Sequence, residues 1–297
     1  MQQMSNPTLM NSVASTVRSL IILMKPGIIF GNLLIAVASF LYASQGSVDF
    51  SALLFFVIGT VAIIGASCVI NNYMDIDIDT NMARTANRPS VTNAISPYGA
   101  YLFAAVLLVV GMQSLLLFVN ERTAALGLLG ALLYVLVYTP LKRRSYLATA
   151  VGTIPGAIPV LAGFMACQGY IGAEGWVVFG LMLCWQMPHF YAIAVFRHTE
   201  YQAAKIPTLS VTKGLQRAIV EIRFYIALFV ALVGLLAVYE VLHIASIVVL
   251  LGLGIYWLKT ALLPATKSVP WARSVFKTSL LVLPTLALLL SVDSLVR

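Results

Sequence analysis

The sequence predicts an all-α integral membrane protein with about nine transmembrane helices in one bundle, and three observations carry that expectation. Only 9% of the 297 residues are charged while 61% are hydrophobic, whereas a soluble domain carries roughly 25% charged residues. The apolar residues come in continuous runs close to the ~20 that a helix needs to cross a hydrocarbon core about 30 Å thick. Those runs do not alternate polar and apolar at every second residue, as the strands of a transmembrane barrel must.

In chain order, a polar segment at 1–24 comes first. Its stretch "TLMNSVASTVRSLIILM", 8–24, suits an amphipathic helix lying in the interface. No cleavable signal is evident, because the first apolar run starts after this segment and is long enough to span. The expected spans are 27–44, 52–73, 98–118, 124–141, 147–167, 175–196, 219–238, 242–259 and 275–292. One membrane-embedded domain, 1–297, contains them all.

The net charge of +8 would suggest nucleic acid on a soluble protein. Here the distribution explains it. With the N-terminus inside, only Arg122 and Arg297 of the 18 Lys and Arg fall on the far side. That asymmetry is the positive-inside rule. It predicts a cytoplasmic N-terminus, a periplasmic C-terminus and a multi-pass protein of the cell inner membrane, with lipid rather than nucleic acid as its surroundings. Cys68, Cys167 and Cys184 lie within or at the end of spans, without CxxC spacing, and read as small packing residues.

The stretch "NNYMDIDIDTNMARTANRP", 71–89, follows the second span directly. Asn71, Asp75 and Asp79 recur every fourth residue, so a helix stacks them on one face over roughly 12 Å, with Asp77 turned away. Acids at a helix C-terminus meet its negative pole, and like charges four residues apart repel. Such a cluster calls for a cation. Oxygen donors without Cys or His suit a hard ion such as Mg²⁺, which commonly bridges one or two carboxylates to phosphate oxygens. Arg84 and Arg88 follow, and guanidinium forks match phosphate. Lys142 and Arg143 reach the same side after the fourth span. Carboxylates, a hard cation and arginines at the mouth of an apolar bundle describe a diphosphate with a lipid tail, such as an isoprenyl diphosphate.

The spacing of Asn71, Asp75 and Asp79 followed by "RTANRP" resembles the first aspartate-rich motif of the intramembrane aromatic prenyltransferases. Within that superfamily the chain is most similar to the protoheme IX farnesyltransferase (heme O synthase) family. "LMKPGIIFGNL" at 23–33, "YTPLKRRSYLATAVGTIPGAIPVLAG" at 138–163 and "CWQMPHFYAIAVFRHTEYQAAKIPTL" at 184–209 carry the likeness over nearly the whole chain. The resemblance implies a two-part helical bundle with a cavity near the cytoplasmic face. It also implies transfer of farnesyl from farnesyl diphosphate to a vinyl group of heme B, giving heme O and diphosphate. Asp75 and Asp79 would hold Mg²⁺, with Asn71 orienting the diphosphate and Arg84 and Arg88 adding charge.

The last of these segments departs from the superfamily, because it has no aspartate. It offers Gln186, His189, Glu200 and Tyr201 instead. Heme O synthases usually carry Asp-Tyr where Glu200-Tyr201 stand, and glycine is common where Lys205 stands. Lys205 would contact diphosphate or simply face solvent. His189 is either a packing histidine near the interface or a group approaching the porphyrin or its iron, since neutral imidazole is a common axial ligand. Trp185 shares its face. The other Tyr and Phe residues read as belt and core. Two other classes compete: a prenyltransferase of a small aromatic acid in quinone synthesis, and a transporter. The transporter is disfavoured because the acids sit at a membrane edge beside arginines, with few charges inside the spans. Nothing in the residues identifies a heme-delivery or terminal-oxidase partner.

Overall fold

The computed structural model describes residues 7–295, so Arg297 and the first residues of the N-terminal segment lie outside the described residues. Helix α1, Pro7–Leu23, covers most of the expected interfacial stretch. Lys25 then takes a left-handed φ of 55° and turns the chain into α2, Pro26–Ser44. Pro26 suits a first helical position, where its missing N–H loses nothing. Asp49 caps α3, Phe50–Met74, accepting from the backbone N–H groups of Ser51 and Ala52. After a break at Asp75 comes α4, Ile76–Thr80. Turns run from there to Ser96, which caps α5, Pro97–Phe118.

Asn120 caps α6, Glu121–Leu132. That helix widens into a π-helical turn, Leu133–Tyr138, and ends as α7, Thr139–Leu141. Next come α8, Ala148–Gln168, and α9, Ala173–Phe196. The short α10, His198–Ala203, and α11, Leu209–Thr212, lead to α12, Leu215–Val233, and its extension α13, Leu235–Val238. The chain closes with α14, Ile244–Leu262, and α15, Ser268–Asp293.

Among the described residues there is no strand, and nine helical segments are long and apolar enough to cross a membrane. They coincide with the nine expected spans. The main differences are the earlier starts of the seventh and ninth, at Leu215 and Ser268. Both starts carry charges that hydropathy rejects but a helix end at an interface tolerates. In α12 Arg217 pairs with Glu221 one turn on, at 2.5 Å.

The bundle has two parts. Helices α2, α3, α5, α6 and α8 enclose a core that includes Phe40, Phe56 and Leu115. Helices α9, α12, α14 and α15 enclose a second, where Phe229 meets Trp257 edge-on at 5.9 Å. The pairs α8·α9 and α2·α15 join the parts. Between lipid-immersed helices burial of apolar surface drives little, so close approach through small residues does the packing. At Gly111 a Cβ would meet Ile63 at 2.7 Å and the Gly59 carbonyl at 3.0 Å, which fixes the α3–α5 crossing. Gly163 plays the same part between α8 and α2. A Cβ there would press on the Ala36 carbonyl and meet Ser39 Cβ at 2.7 Å.

One end of the bundle is stitched by polar contacts. Arg122 lies there, donating to the Gly169 carbonyl at 2.9 Å, and Asn120 donates to the Met165 carbonyl. Buried Asp293 accepts from the His243 N–H and the Ser246 hydroxyl at the start of α14, where a helix N-terminus favours a carboxylate. The basic loops gather at the other end.

Gly163→Ala should separate α2 from α8 and destabilise the bundle by about 1–3 kcal/mol, the usual cost of overpacking. Gly180→Ala, where nothing lies within 4 Å, is the control. A thermal scan in detergent checks the pair, and equal midpoints would contradict this account of the crossing.

Candidate active site

A cavity of about 710 Å³ lies between the two parts and reaches the basic end, within the 300–1,000 Å³ typical of ligand sites. Its depth is lined by apolar groups such as Phe56, Ile63, Leu115, Ile158 and Leu283, and its mouth by Lys25, Asn71, Asp75, Asp79, Arg84, Arg88, Lys142, Arg197 and Tyr201.

The acidic motif is not the single helix expected. The helix breaks at Asp75, whose backbone (φ −106°, ψ 7°) caps α3 and begins α4. The Asp79 N–H still bonds the Asp75 carbonyl at 2.8 Å, so the two carboxylates stay on one side. Both are buried, at 3% and 5% exposure. Buried carboxylates need paired charge, and the loops supply it. Lys142 bonds Asp75 Oδ2, and Arg88 bonds Asp79 Oδ2 at 2.5 Å. Asp77 faces outward as expected. Arg143 grips it with both guanidinium nitrogens, at 2.6 and 2.7 Å, and also bonds the Met74 carbonyl at the helix end. This fork holds the Asp77 carboxyl below the usual carboxylate range. Arg143 does not line the cavity; it braces the motif from outside.

Asn71 uses its whole amide. Its Oδ1 accepts from Lys25 Nζ at 2.5 Å, and its Nδ2 donates to Thr139 Oγ1 at 2.9 Å. Thr139 in turn donates to the Tyr134 carbonyl at 2.9 Å. That bond, with Pro140 lacking an N–H, accompanies the π-helical turn, a feature frequent at functional sites. The turn brings Tyr134 and Tyr138 into the cavity wall, stacked at 5.4 Å. Sequence reasoning had assigned such tyrosines to belt and core.

The second segment divides. Gln186 lines the cavity, but its amide braces α9 to α8 by donating to the Thr153 and Met182 carbonyls. Its Oε1 lies where a Cβ on Gly156 would sit. His189 lines the deep wall, stacked on Trp185 at 4.9 Å. Tyr201 lines the mouth, and burial raises its phenol above the ordinary value. Glu200 is not in the cavity wall; it pairs with Arg197 at 2.9 Å and so positions a cation that is. Lys205 is exposed, with a φ of 55°. The Ile206 N–H reaches the Tyr201 carbonyl at 2.9 Å around it. This is a helix-stop geometry that favours glycine. Its place is conformational, and the side chain faces solvent.

One cavity cation, Lys25, escaped sequence reasoning, while Arg197 was legible only as one of several basic residues that follow the sixth span on the same side. The Lys-Pro pair that opens the first span was the available signal for Lys25, hidden among residues that obey the positive-inside rule.

The carboxylates fit a hard divalent ion. Asp75 Oδ1 is buried without a hydrogen-bond partner, with Arg143 Nη2 3.6 Å away as an ion-pair contact. Among the described residues no three metal-ligating side chains cluster. Two carboxylates thus leave most of a hexacoordinate shell to phosphate oxygens and water, the usual Mg²⁺ arrangement.

Comparisons with known proteins agree with this architecture. The model of the UbiA prenyltransferase family matches residues 32–281. The protoheme IX farnesyltransferase of Aliivibrio salmonicida is 41% identical over 281 residues, covering 91% of this chain and 95% of the relative. That of Protochlamydia amoebophila is 36% identical over 275 residues, covering 92% and 97%. Among solved structures, the UbiA homolog from Aeropyrum pernix K1 superposes with a TM-score of 0.73 at 20% identity, over 90% of this chain and 98% of the other. The UbiA homolog from Archaeoglobus fulgidus bound to GPP and Mg²⁺ gives 0.68 at 16%, over 92% and 99%.

Lys25 yields a test with a sign. Burial lowers its ammonium from 10.5 to about 8. The free site therefore keeps this cation at pH 7 and loses it as pH rises through about 8. Affinity for inorganic pyrophosphate should fall over that range in the parent. In Lys25→Arg, whose guanidinium stays charged, the fall should be shallower. Calorimetric titrations from pH 7 to 9.5 check this, and identical slopes would remove Lys25 from the anion site.

Proposed function

The chain belongs to the UbiA prenyltransferase family, and on that footing we propose that it transfers farnesyl from farnesyl diphosphate to a vinyl group of heme B, giving heme O and diphosphate. The observation that carries the reading is the polarity of one cavity. Two buried carboxylates ringed by Lys25, Arg84, Arg88, Lys142 and Arg197 stand at its mouth, and an apolar hold lies behind them. Relatives over nine-tenths of the chain are named protoheme IX farnesyltransferases, which supports heme B over a small aromatic acid as acceptor.

Asp75 and Asp79 would hold Mg²⁺, which when bound supplies positive charge to the leaving diphosphate. The chain's own groups do the rest. Arg84 and Arg88 fork the phosphates, Lys142 moves from Asp75 toward a phosphate oxygen, and Asn71 acts through Lys25, which it aims. As the allylic C1–O bond breaks, its electron pair leaves with the diphosphate. Tyr134 and Tyr138 offer π faces to the farnesyl cation. The apolar walls keep water from C1. C1 bonds the terminal vinyl carbon of heme B, water captures the cation beside the pyrrole, and one proton departs to leave a hydroxyl. The basic end is the cytoplasmic one in this reading, and the membrane is the cell inner membrane.

Purified protein with heme B, farnesyl diphosphate and Mg²⁺ should yield a product heavier than heme B by one farnesyl and one hydroxyl group, read by mass. Asp75→Asn, which keeps shape and removes charge, should lower the rate at least ~10²-fold, the scale of losing one preorganised electrostatic stabiliser. Unchanged turnover in that variant would end the assignment. Farnesylation of a hydroxybenzoate in place of heme B would favour the competing acceptor.

A further inference from the structure

The Trp185–His189 pair is pinned by one residue of the facing helix. Ser279 of α15 is fully buried. Its backbone carbonyl accepts from Trp185 Nε1 at 3.0 Å, and its hydroxyl lies 2.8 Å from His189 Nδ1. The same hydroxyl donates its only proton to the Phe276 carbonyl at 2.6 Å. It can therefore only accept from the histidine, so the ring proton sits on Nδ1. Nε2 keeps its lone pair, since the ring's hydrogen bond among the described residues is the one at Nδ1.

The surroundings say what that lone pair meets. Trp185 stacks on the ring, Phe276 tilts against it at 4.9 Å and Phe190 stands edge-on at 5.2 Å. The carboxylates of the cavity wall, Asp75 and Asp79, stand at its mouth, and among the described residues no second imidazole lines it. An apolar aromatic niche with one nitrogen donor is poor at activating water and well suited to a flat macrocycle with a metal at its centre. Along α9, His189 lies seven residues, roughly 10 Å, inside Phe196, the last residue before the mouth cation Arg197. That separation leaves room for a diphosphate at the mouth and a porphyrin behind it.

We propose that His189 Nε2 ligates the iron of bound heme B, and that Ser279 is the positioning residue that fixes the imidazole in the ligating tautomer. The proposal rests on the heme-farnesylating reading and deepens it. An iron-ligating histidine whose other N–H is held by an outer partner has a fixed ring orientation and a more basic nitrogen. Ser279 serves the macrocycle without touching it.

The experiment uses the full chain in detergent, titrated with ferric heme B and, separately, with metal-free protoporphyrin IX. In the parent, heme B should develop the absorption and paramagnetic resonance signature of a nitrogen-ligated iron. Ser279→Ala keeps the carbonyl that holds Trp185 and removes only the hydroxyl. It should weaken heme B binding about tenfold or more, as loss of an outer-shell partner does, and diminish the signature. Ser279→Thr should restore it. His189→Ala should abolish it, and free imidazole should bring it back. Protoporphyrin IX, with no iron, should bind parent and variants alike. Unchanged heme spectra in Ser279→Ala and His189→Ala, or equal losses of heme and protoporphyrin, would overturn the proposal. A parent that forms farnesylated heme while its bound heme shows no nitrogen ligand would sink the ligation alone. A parent that neither binds nor farnesylates heme B would sink the functional reading with it.

Discussion

Two carboxylates buried at the end of a membrane helix are the constraint on which the site depends. Asp75 and Asp79 stand where the dipole of α3 is negative and where water is scarce, a position unfavourable for acids on both counts. The structure offsets this by bringing cations from elsewhere in the chain. Lys142 comes from the loop after the fourth span, and Arg88 from the turns after the motif. Arg143 binds the neighbouring Asp77 and the end of α3. The Lys142 and Arg143 pairings also tie two loops together, so the mouth is assembled by the same contacts that keep its charge balanced.

That balance shapes substrate loading. In the proposed reaction a divalent ion arriving alone would compete with Lys142 and Arg88 for their carboxylates. A diphosphate arriving with the ion offers those cations new oxygens. Metal and diphosphate are thus expected to bind as a coupled pair, with the lysine and arginine exchanging one set of anions for the other.

Much of this was legible in the sequence, for physical reasons. Lipid requires continuous apolar helices, so hydropathy found all nine spans and erred mainly where Arg217 and Arg273 sit inside a first helical turn or two. The aspartate cluster stood out because its spacing fights the helix dipole and self-repulsion, and the structure brings Asp75 and Asp79 to the cavity mouth. What stayed hidden depends on side-chain partners and backbone angles that only the folded chain reveals. Lys25 looks like any interfacial lysine until Asn71 receives it. Glu200 looks like a substrate-binding acid until Arg197 claims it. Lys205 is explained by its backbone angle, which no residue type reveals. Ser279 is one serine in an apolar helix, and only the packing of α15 on α9 shows its hydroxyl and carbonyl holding two rings at once.

The most direct test of the carboxylate account is the affinity for inorganic pyrophosphate with and without Mg²⁺, in the parent and in an Asp75→Asn, Asp79→Asn double variant. Coupling through the carboxylates predicts that Mg²⁺ tightens pyrophosphate binding in the parent by about tenfold or more, within the usual range for linked sites. It predicts that the double variant loses this gain while still binding pyrophosphate through Arg84, Arg88, Lys142 and Arg197. A Mg²⁺ effect that is absent in the parent, or that survives intact in the double variant, would contradict the account.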